Sequence, residues 1–169
     1  MNQDEFLKKL ETELKISKYS KYTIKNYVNA NAELLNFIKK NPEEIKIDDI
    51  KSYQAEKLLD KSSKSIVLFL SAIRYAYSNI LQKDPTIGIK RPKKEIKIPV
   101  VLTKDEVKAL INSLDNKKSR LMISLLYACG FRVSELINLK VKELNFEEKI
   151  GYVRQSKGRK DRIFNIPTS

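Results

Sequence analysis

Residues 125–144 read LLYACGFRVSELINLKVKEL, and the order of residue types in this run decides how the second half of the chain folds. The apolar run LLYAC stops at Gly130, which suits the left-handed residue that ends a helix. Phe131 and Arg132 follow at once and open a second, short helical pattern, FRVSELINL. An arginine at the edge of so greasy a segment is costly to bury unless an anion meets it. Two partners fit: Glu135, which a helix brings to the same side at i+3, or an anion from outside the chain.

Upstream of this run, SRLMISLLYAC sets Leu121, Met122, Leu125, Leu126 and Cys129 at helical spacing. Cys129 is the chain's one cysteine, so no internal disulfide or thiolate cluster forms, and it is expected in the core. The preceding segment, LTKDEVKALINSL, opens with Thr103 three residues before Glu106, a capping box. Its apolar face is Val107, Leu110, Ile111 and Leu114. Downstream, the period changes to two. LNF, IGYVRQ and DRIFNIP read as strands, with SKGRK as the turn between the last two. Three helices and a hairpin make a thin core, because a two-stranded hairpin is marginal alone. That composition reads as a domain cut short at Ser169.

The first half is helical throughout. Phe6, Leu7, Leu10 and Leu14 mark a short first helix. In SKYTIKNYVNANAELLNFIKK, Ile24, Tyr27, Asn31, Leu34 and Ile38 fall on one stripe, with Ser20 as its cap and Pro42 as its stop. A weaker helix starts near Asp48 and Asp49 and runs through IKSYQAEKLL. SSKS then opens IVLFLSAIRYAYSNIL, where Ile66, Phe69, Leu70, Ile73, Tyr77 and Ile80 share a face wide enough for a buried helix. Next, KRPKKEIKIP brackets a basic run with two prolines and has little to bury, as an extended linker does. The domains expected are a helical one over 1–88, a basic linker over 89–98, and a second domain over 99–169.

The chain's 169 residues suffice for one ordinary domain or two small ones. With 41% hydrophobic and 33% charged residues it is not disordered by composition. Its 34 Lys and Arg against 21 Asp and Glu leave a formal charge of +13, which suits a polyanionic partner, although a solvated lysine-rich surface gives the same count. The absence of histidine removes the commonest acid, base and metal ligand at neutral pH. The start, MNQDEFLKKLETEL, mixes acidic and basic residues unlike a signal peptide, and no apolar run approaches membrane-spanning length. A soluble, cytoplasmic protein with no membrane partner is expected.

The segments SKYTIKNYVNANAELLNFI, SAIRYAYSNILQKDP, IPVVLTKDEVKALI, YACGFRVSEL and IGYVRQSKGRKDRIFNIP together resemble the front half of a tyrosine recombinase of the phage-integrase class, Xer-like in character. ACGFRVSEL is the specific part. The resemblance implies a mainly α fold: a small four-helix SAM-like core-binding domain, then a partial α+β catalytic domain of helices followed by a β-hairpin. It implies duplex DNA as partner, with the remaining catalytic segment or other recombinase protomers as further partners, and neither cofactor nor metal. In such enzymes a tyrosine hydroxyl attacks a DNA phosphodiester to give a 3′-phosphotyrosyl link and a free 5′-hydroxyl. The resemblance makes Arg132 and Lys157 catalytic and Glu135 their support. A guanidinium that grips two phosphate oxygens stabilises the charge that builds there. Lys157, in a turn, is placed to give a proton to the leaving oxygen once neighbouring cations or burial tune it. Arg74, Lys90, Arg91, Lys93, Lys94, Arg154, Arg159, Lys160 and Arg162 are candidates for DNA contact.

The family pattern also carries a His-x-x-Arg segment, a later His or Trp, and the nucleophilic tyrosine. None has a counterpart here: the last tyrosine is Tyr152, before the Lys157 turn. The chain alone is therefore expected not to cleave DNA. Three functions fit this: a DNA-binding part of a site-specific recombinase, a chain completed by another polypeptide, or a non-enzymatic DNA-binding regulator or competitor of a full recombinase.

Overall fold

A computed structural model describes residues 1–93, 98–154 and 161–167. The chain divides into two compact units, Met1–Lys97 and Ile98–Ser169. The first holds α1 (Gln3–Ile16), α2 (Lys21–Ile38), α3 (Ile47–Lys57) and α4 (Ser63–Ile80), with a single 3-10 turn at Pro42–Glu44. Their starts follow from their caps. Asn2, Ser20 and Ser62 each accept a backbone N–H three residues on, at 2.8, 3.1 and 3.3 Å, satisfying donors that a helix N-terminus leaves open.

The end of α2 differs from the sequence expectation. The helix stops at Ile38, and Lys39 takes the left-handed conformation with its N–H on the Leu35 carbonyl at 2.8 Å. Pro42 comes three residues later and starts the 3-10 turn instead, where its fixed φ is an asset. It is fully buried there.

The core of this unit is drawn from all four helices: Phe6, Leu10 and Leu14 of α1, Leu34 and Leu35 of α2, Ile50 and Tyr53 of α3, and Phe69, Leu70, Ile73, Ala76 and Tyr77 of α4. Rings tie the helices in pairs. Phe6 meets Tyr77 at 5.1 Å between centroids, and Tyr53 stacks on Phe69 at 5.0 Å. Asn31, on the apolar stripe of α2, is fully buried. Its amide donates to the Tyr27 carbonyl within α2 and to the Ala72 carbonyl of α4, at 2.9 and 3.2 Å. Burial and the neighbouring Glu33, which accepts the Tyr53 hydroxyl at 3.1 Å, push that phenol up to about 12.

The second unit holds α5 (Lys104–Asn112), α6 (Lys117–Cys129), α7 (Val133–Asn138), a 3-10 turn at Val141–Glu143, and strands β1 (Leu144–Asn145), β2 (Ile150–Val153) and β3 (Arg162–Asn165). The expected hairpin is part of a three-stranded antiparallel sheet in the order β1-β2-β3. Gly151 sits opposite both Leu144 and Phe164. A Cβ there would lie 2.3 Å from the Phe164 ring and 3.0 Å from Leu144, so only glycine lets the ring lie across β2. Phe164 in turn meets Phe131 edge-on at 4.6 Å, which seats the loop after α6 on the sheet.

The core of this unit is small: Phe131, Leu136, Val153 and Phe164. The capping box at Thr103 and Glu106 forms, with the carboxylate accepting the Thr103 N–H at 2.7 Å. The apolar faces expected for α5 and α6, however, are only partly covered: Met122, Leu125, Leu126 and Cys129 pack half-buried against this core, while Leu110 and Leu121 are exposed. Val107 alone of its stripe is buried, Leu121 is 60% exposed, and no residue of α6 is fully buried. Cys129, expected in the core, is half-buried against its edge. Among the described residues, no helix is long and apolar enough to cross a membrane.

The buried stripe of α4 sets a measurable cost. Ile73 is fully buried and Phe69 nearly so, so Ile73→Ala and Phe69→Ala are each expected to lower stability by about 2–5 kcal/mol through lost transfer energy and a residual cavity. Urea melts that move by less than about 0.5 kcal/mol in both variants would contradict this packing.

Candidate functional site

The site is built where α6 gives way to α7. Gly130 adopts φ 59°, ψ 37°, in the left-handed region. Space is not the constraint, because a Cβ at Gly130 would meet nothing within 4 Å. The backbone angle is, and it favours glycine. The reversal sends Phe131 into the small core and brings Arg132 to the N-cap of α7. Arg132 was expected within the short helix; it precedes it instead, in extended backbone at φ −77°, ψ 150°. The helix thus begins two residues later than FRVSELINL suggests.

Arginine has no acceptor with which to cap a helix. Glu135 supplies the missing link. Its Oε2 accepts the Arg132 backbone N–H at 2.9 Å, and its Oε1 accepts Nη1 of the same arginine at 2.6 Å. The buried partner of this pair is the acid, not the base: the Glu135 side chain is 3% exposed and that of Arg132 is 58% exposed. An arginine that looks stranded in an apolar stretch is therefore reachable from solvent, and the cost of burial falls on a carboxylate.

A buried carboxylate needs further hydrogen bonds to its lone pairs as well as one cation, and here a second cation supplies one. The second is Arg162, at the start of β3, whose Nη2 donates to Glu135 Oε2 at 2.8 Å. The same nitrogen donates to the Gly130 carbonyl at 3.3 Å, and the guanidinium lies over the Phe131 ring at 5.4 Å. Arg162 was expected to touch phosphate or stay solvated. Its side chain is only 35% exposed and is committed to the loop that carries Arg132. The sequence held a signal for this. Strand residues two apart share a face, so a buried Phe164 implies an inward Arg162. The thiol of Cys129 lies beside this cluster, 3.7 Å from the Asn165 carbonyl. Burial pushes it up and the Arg162 charge only partly offsets that, which leaves it a poor nucleophile.

The other candidates are dispersed. In the first unit, Arg74 of α4 pairs with Asp84, Nε to Oδ2 at 3.1 Å, and Lys90, Arg91 and Lys93 are exposed on irregular chain after α4. In the second, Arg154 lies 3.7 Å from Asp161 and 5.8 Å over the Tyr152 ring, both charges well exposed. Lys94, Lys157, Arg159 and Lys160 lie outside the described residues. Among the described residues no cluster of His, Cys, Asp and Glu could hold a metal ion.

Glu135→Gln should lower the stability of this unit by about 1–3 kcal/mol, because an amide cannot accept from both guanidiniums and carries no charge to offset theirs. Amide hydrogen exchange reads this unit by unit: faster exchange in β2 and β3 with α1–α4 unchanged is expected, and unaltered protection in β2 and β3 would contradict it.

Residues 6–87 match the N-terminal SAM-like domain of phage integrases, and residues 100–169 match the phage integrase family. A tyrosine recombinase of Pseudothermotoga lettingae is 34% identical to the chain, across 88% of this chain and 56% of that protein. Tyrosine recombinase XerA of Pyrococcus horikoshii is 32% identical, across 96% of this chain and 56% of its own length. The chain thus spans 56% of the length of each of these curated relatives. Of solved structures, a lambda integrase tetramer bound to a Holliday junction superposes with a TM-score of 0.81 at 18% identity, covering 98% of this chain and 49% of that one. At such identity the likeness is one of fold. Both halves match successive domains of the same enzymes, and the relatives are tyrosine recombinases along the length they share: the chain belongs to the phage integrase family of tyrosine recombinases.

Proposed function

We propose that the chain binds duplex DNA as the core-binding domain, residues 1–88, and the beginning of the catalytic domain, residues 99–169, of a site-specific tyrosine recombinase, and that Arg132 grips the phosphate at which the strand is cut. The observation that carries this is an exposed guanidinium fixed at its root by a buried carboxylate, in a chain of formal charge +13. A charge held in one direction before substrate arrives needs no reorganisation as negative charge builds on the phosphate oxygens. Lys157 is the proton donor to the leaving 5′-oxygen in this scheme. Exposed Lys90, Arg91 and Lys93 contribute phosphate contacts from the linker, as Lys94, Arg154, Arg159 and Lys160 do from their own segments. The tyrosine nucleophile belongs to the complete enzyme. Each of the eight tyrosines here precedes Lys157, and Tyr53 and Tyr77 are buried with their phenols pushed up, by burial first.

Affinity for duplex DNA should fall steeply with salt, with a log–log slope of about −0.9 per phosphate neutralised. Arg132→Ala should weaken binding by about 1–3 kcal/mol, the worth of a charge-assisted hydrogen bond. A flat salt response, or equal affinity of the two proteins, would contradict phosphate contact. A second assay addresses chemistry. Incubated with a nicked suicide duplex and resolved under denaturing conditions, the 169-residue chain should give no covalent protein–DNA adduct. An adduct would show that one of its own tyrosines attacks.

A further inference from the structure

The geometry points to Arg162 as a positioning residue that aims Arg132 at the phosphate while making no phosphate contact itself. The inference rests on the reading of Arg132 given above. Three contacts carry it, and all run to the segment Gly130–Glu135. Arg162 Nη2 donates to Glu135 Oε2 at 2.8 Å and to the Gly130 carbonyl at 3.3 Å, and its guanidinium covers the Phe131 ring at 5.4 Å. Arg132 is held through the same carboxylate by its backbone N–H and its Nη1. The two arginines therefore share one buried acid, which accepts from the Arg132 guanidinium through Oε1 and from the Arg162 guanidinium and the Arg132 backbone N–H through Oε2.

The division of labour follows from this sharing. The two bonds from Arg132, Nη1 to Oε1 and the backbone N–H to Oε2, come from a single residue, and the carboxylate could move with it. A second planar fork, anchored on a β-strand 27 residues away, fixes the plane of the carboxylate from the other side. Arg162 also restrains the carbonyl of Gly130, the residue with the least conformational resistance to turning. It thus locks both the acid that orients Arg132 and the hinge-like residue that precedes it. Its own side chain is the less exposed of the two, 35% against 58%, as befits a support rather than a contact.

A double-mutant cycle on DNA affinity tests this, with the full chain and a fluorescent duplex of random sequence as probe. The proteins are wild type, Arg162→Gln, Arg132→Ala and the double variant. Arg132→Ala should weaken binding roughly tenfold. Arg162→Gln should cost a similar factor in the wild-type background and nothing further in the Arg132→Ala background, because residues acting through one contact are not additive. Arg162→Lys, which keeps a charge on Glu135 but lacks the fork, should recover part of the loss. Additive losses would mean that Arg162 meets DNA itself, and no loss from Arg162→Gln would mean that it positions nothing; either overturns the proposal. If Arg162→Gln does not fold, Arg162→Lys enters the cycle in its place under the same criterion. If Arg132→Ala leaves affinity unchanged, the phosphate reading fails by itself, and the Arg132 Nε–Hε NMR signal then decides on positioning. A signal that broadens or moves in Arg162→Lys supports it, and an unchanged one overturns it.

Discussion

A carboxylate 3% exposed to solvent keeps its charge only if cations come to it, and in this chain they come from two directions. Arg132 arrives from the adjacent turn of chain and Arg162 from β3, 27 residues on. Glu135 is thus the point where the end of α6, the start of α7 and the sheet are joined by polar contacts. The apolar contacts at the same junction, Phe131 against Phe164 and Phe164 against Gly151, are short-ranged and few. With a core of four buried hydrophobic side chains, this unit leans on its buried ion cluster for a unique arrangement more than the first unit does.

The first unit shows the opposite balance. Thirteen buried residues from four helices and the chain between them form its core, and Asn31, buried and polar, works as a crosspiece between α2 and α4. The charges there lie mostly toward the outside, paired at i and i+4, as Lys9 with Glu5, or across longer spacings, as Lys40 with Asp49 and Arg74 with Asp84. Such surface pairs contribute little to stability, so the fold of that unit stands on its apolar stripe, and its surface charge is left to other uses.

That contrast explains what was legible in the sequence. The four helices of the first half announce themselves because periodicity and caps agree: Ser20 and Ser62 stand where their helices start, and Phe69, Leu70, Ile73 and Tyr77 all prove buried. Pro42 misleads as a stop because Lys39, a residue with no special preference for the left-handed region, ends the helix first. In the second half, periodicity finds α5 and α6 but overstates their burial, since a pattern says which face is apolar and not whether anything covers it. Arg132 and Glu135 could be paired from their spacing. Which of the two is buried could not, and neither could the link to Arg162, because a contact 27 residues long depends on strand register and not on local pattern.

A cation at an N-cap is in itself no sign of function, and the chain provides its own controls. Lys46 stands at the N-cap of α3 and Lys140 at that of the 3-10 turn before β1, each with its backbone N–H on an acid three residues on, at 2.9 and 3.0 Å. All three sites forgo the oxygen that favours Ser, Thr, Asp or Asn there, which costs about 0.5–2 kcal/mol, and all put positive charge at the unfavourable end of the dipole. Asp49 even gathers a second cation, Lys40 at 2.7 Å; burial alone would raise its pKa, but the hydrogen bonds from Lys40 and Lys46 prevail and hold the carboxyl below its usual range. What separates Arg132 is geometry and not charge. An ammonium is a point charge on a flexible stem, free to turn about the acid it neutralises, whereas a guanidinium held through one edge has its plane fixed. At Glu135 both cations are guanidiniums, and the one that remains more than half exposed is oriented by the other. An exposed charge with a fixed direction does little for folding. It can recognise a tetrahedral anion that approaches from one side, and that is the feature by which this N-cap differs from the other two.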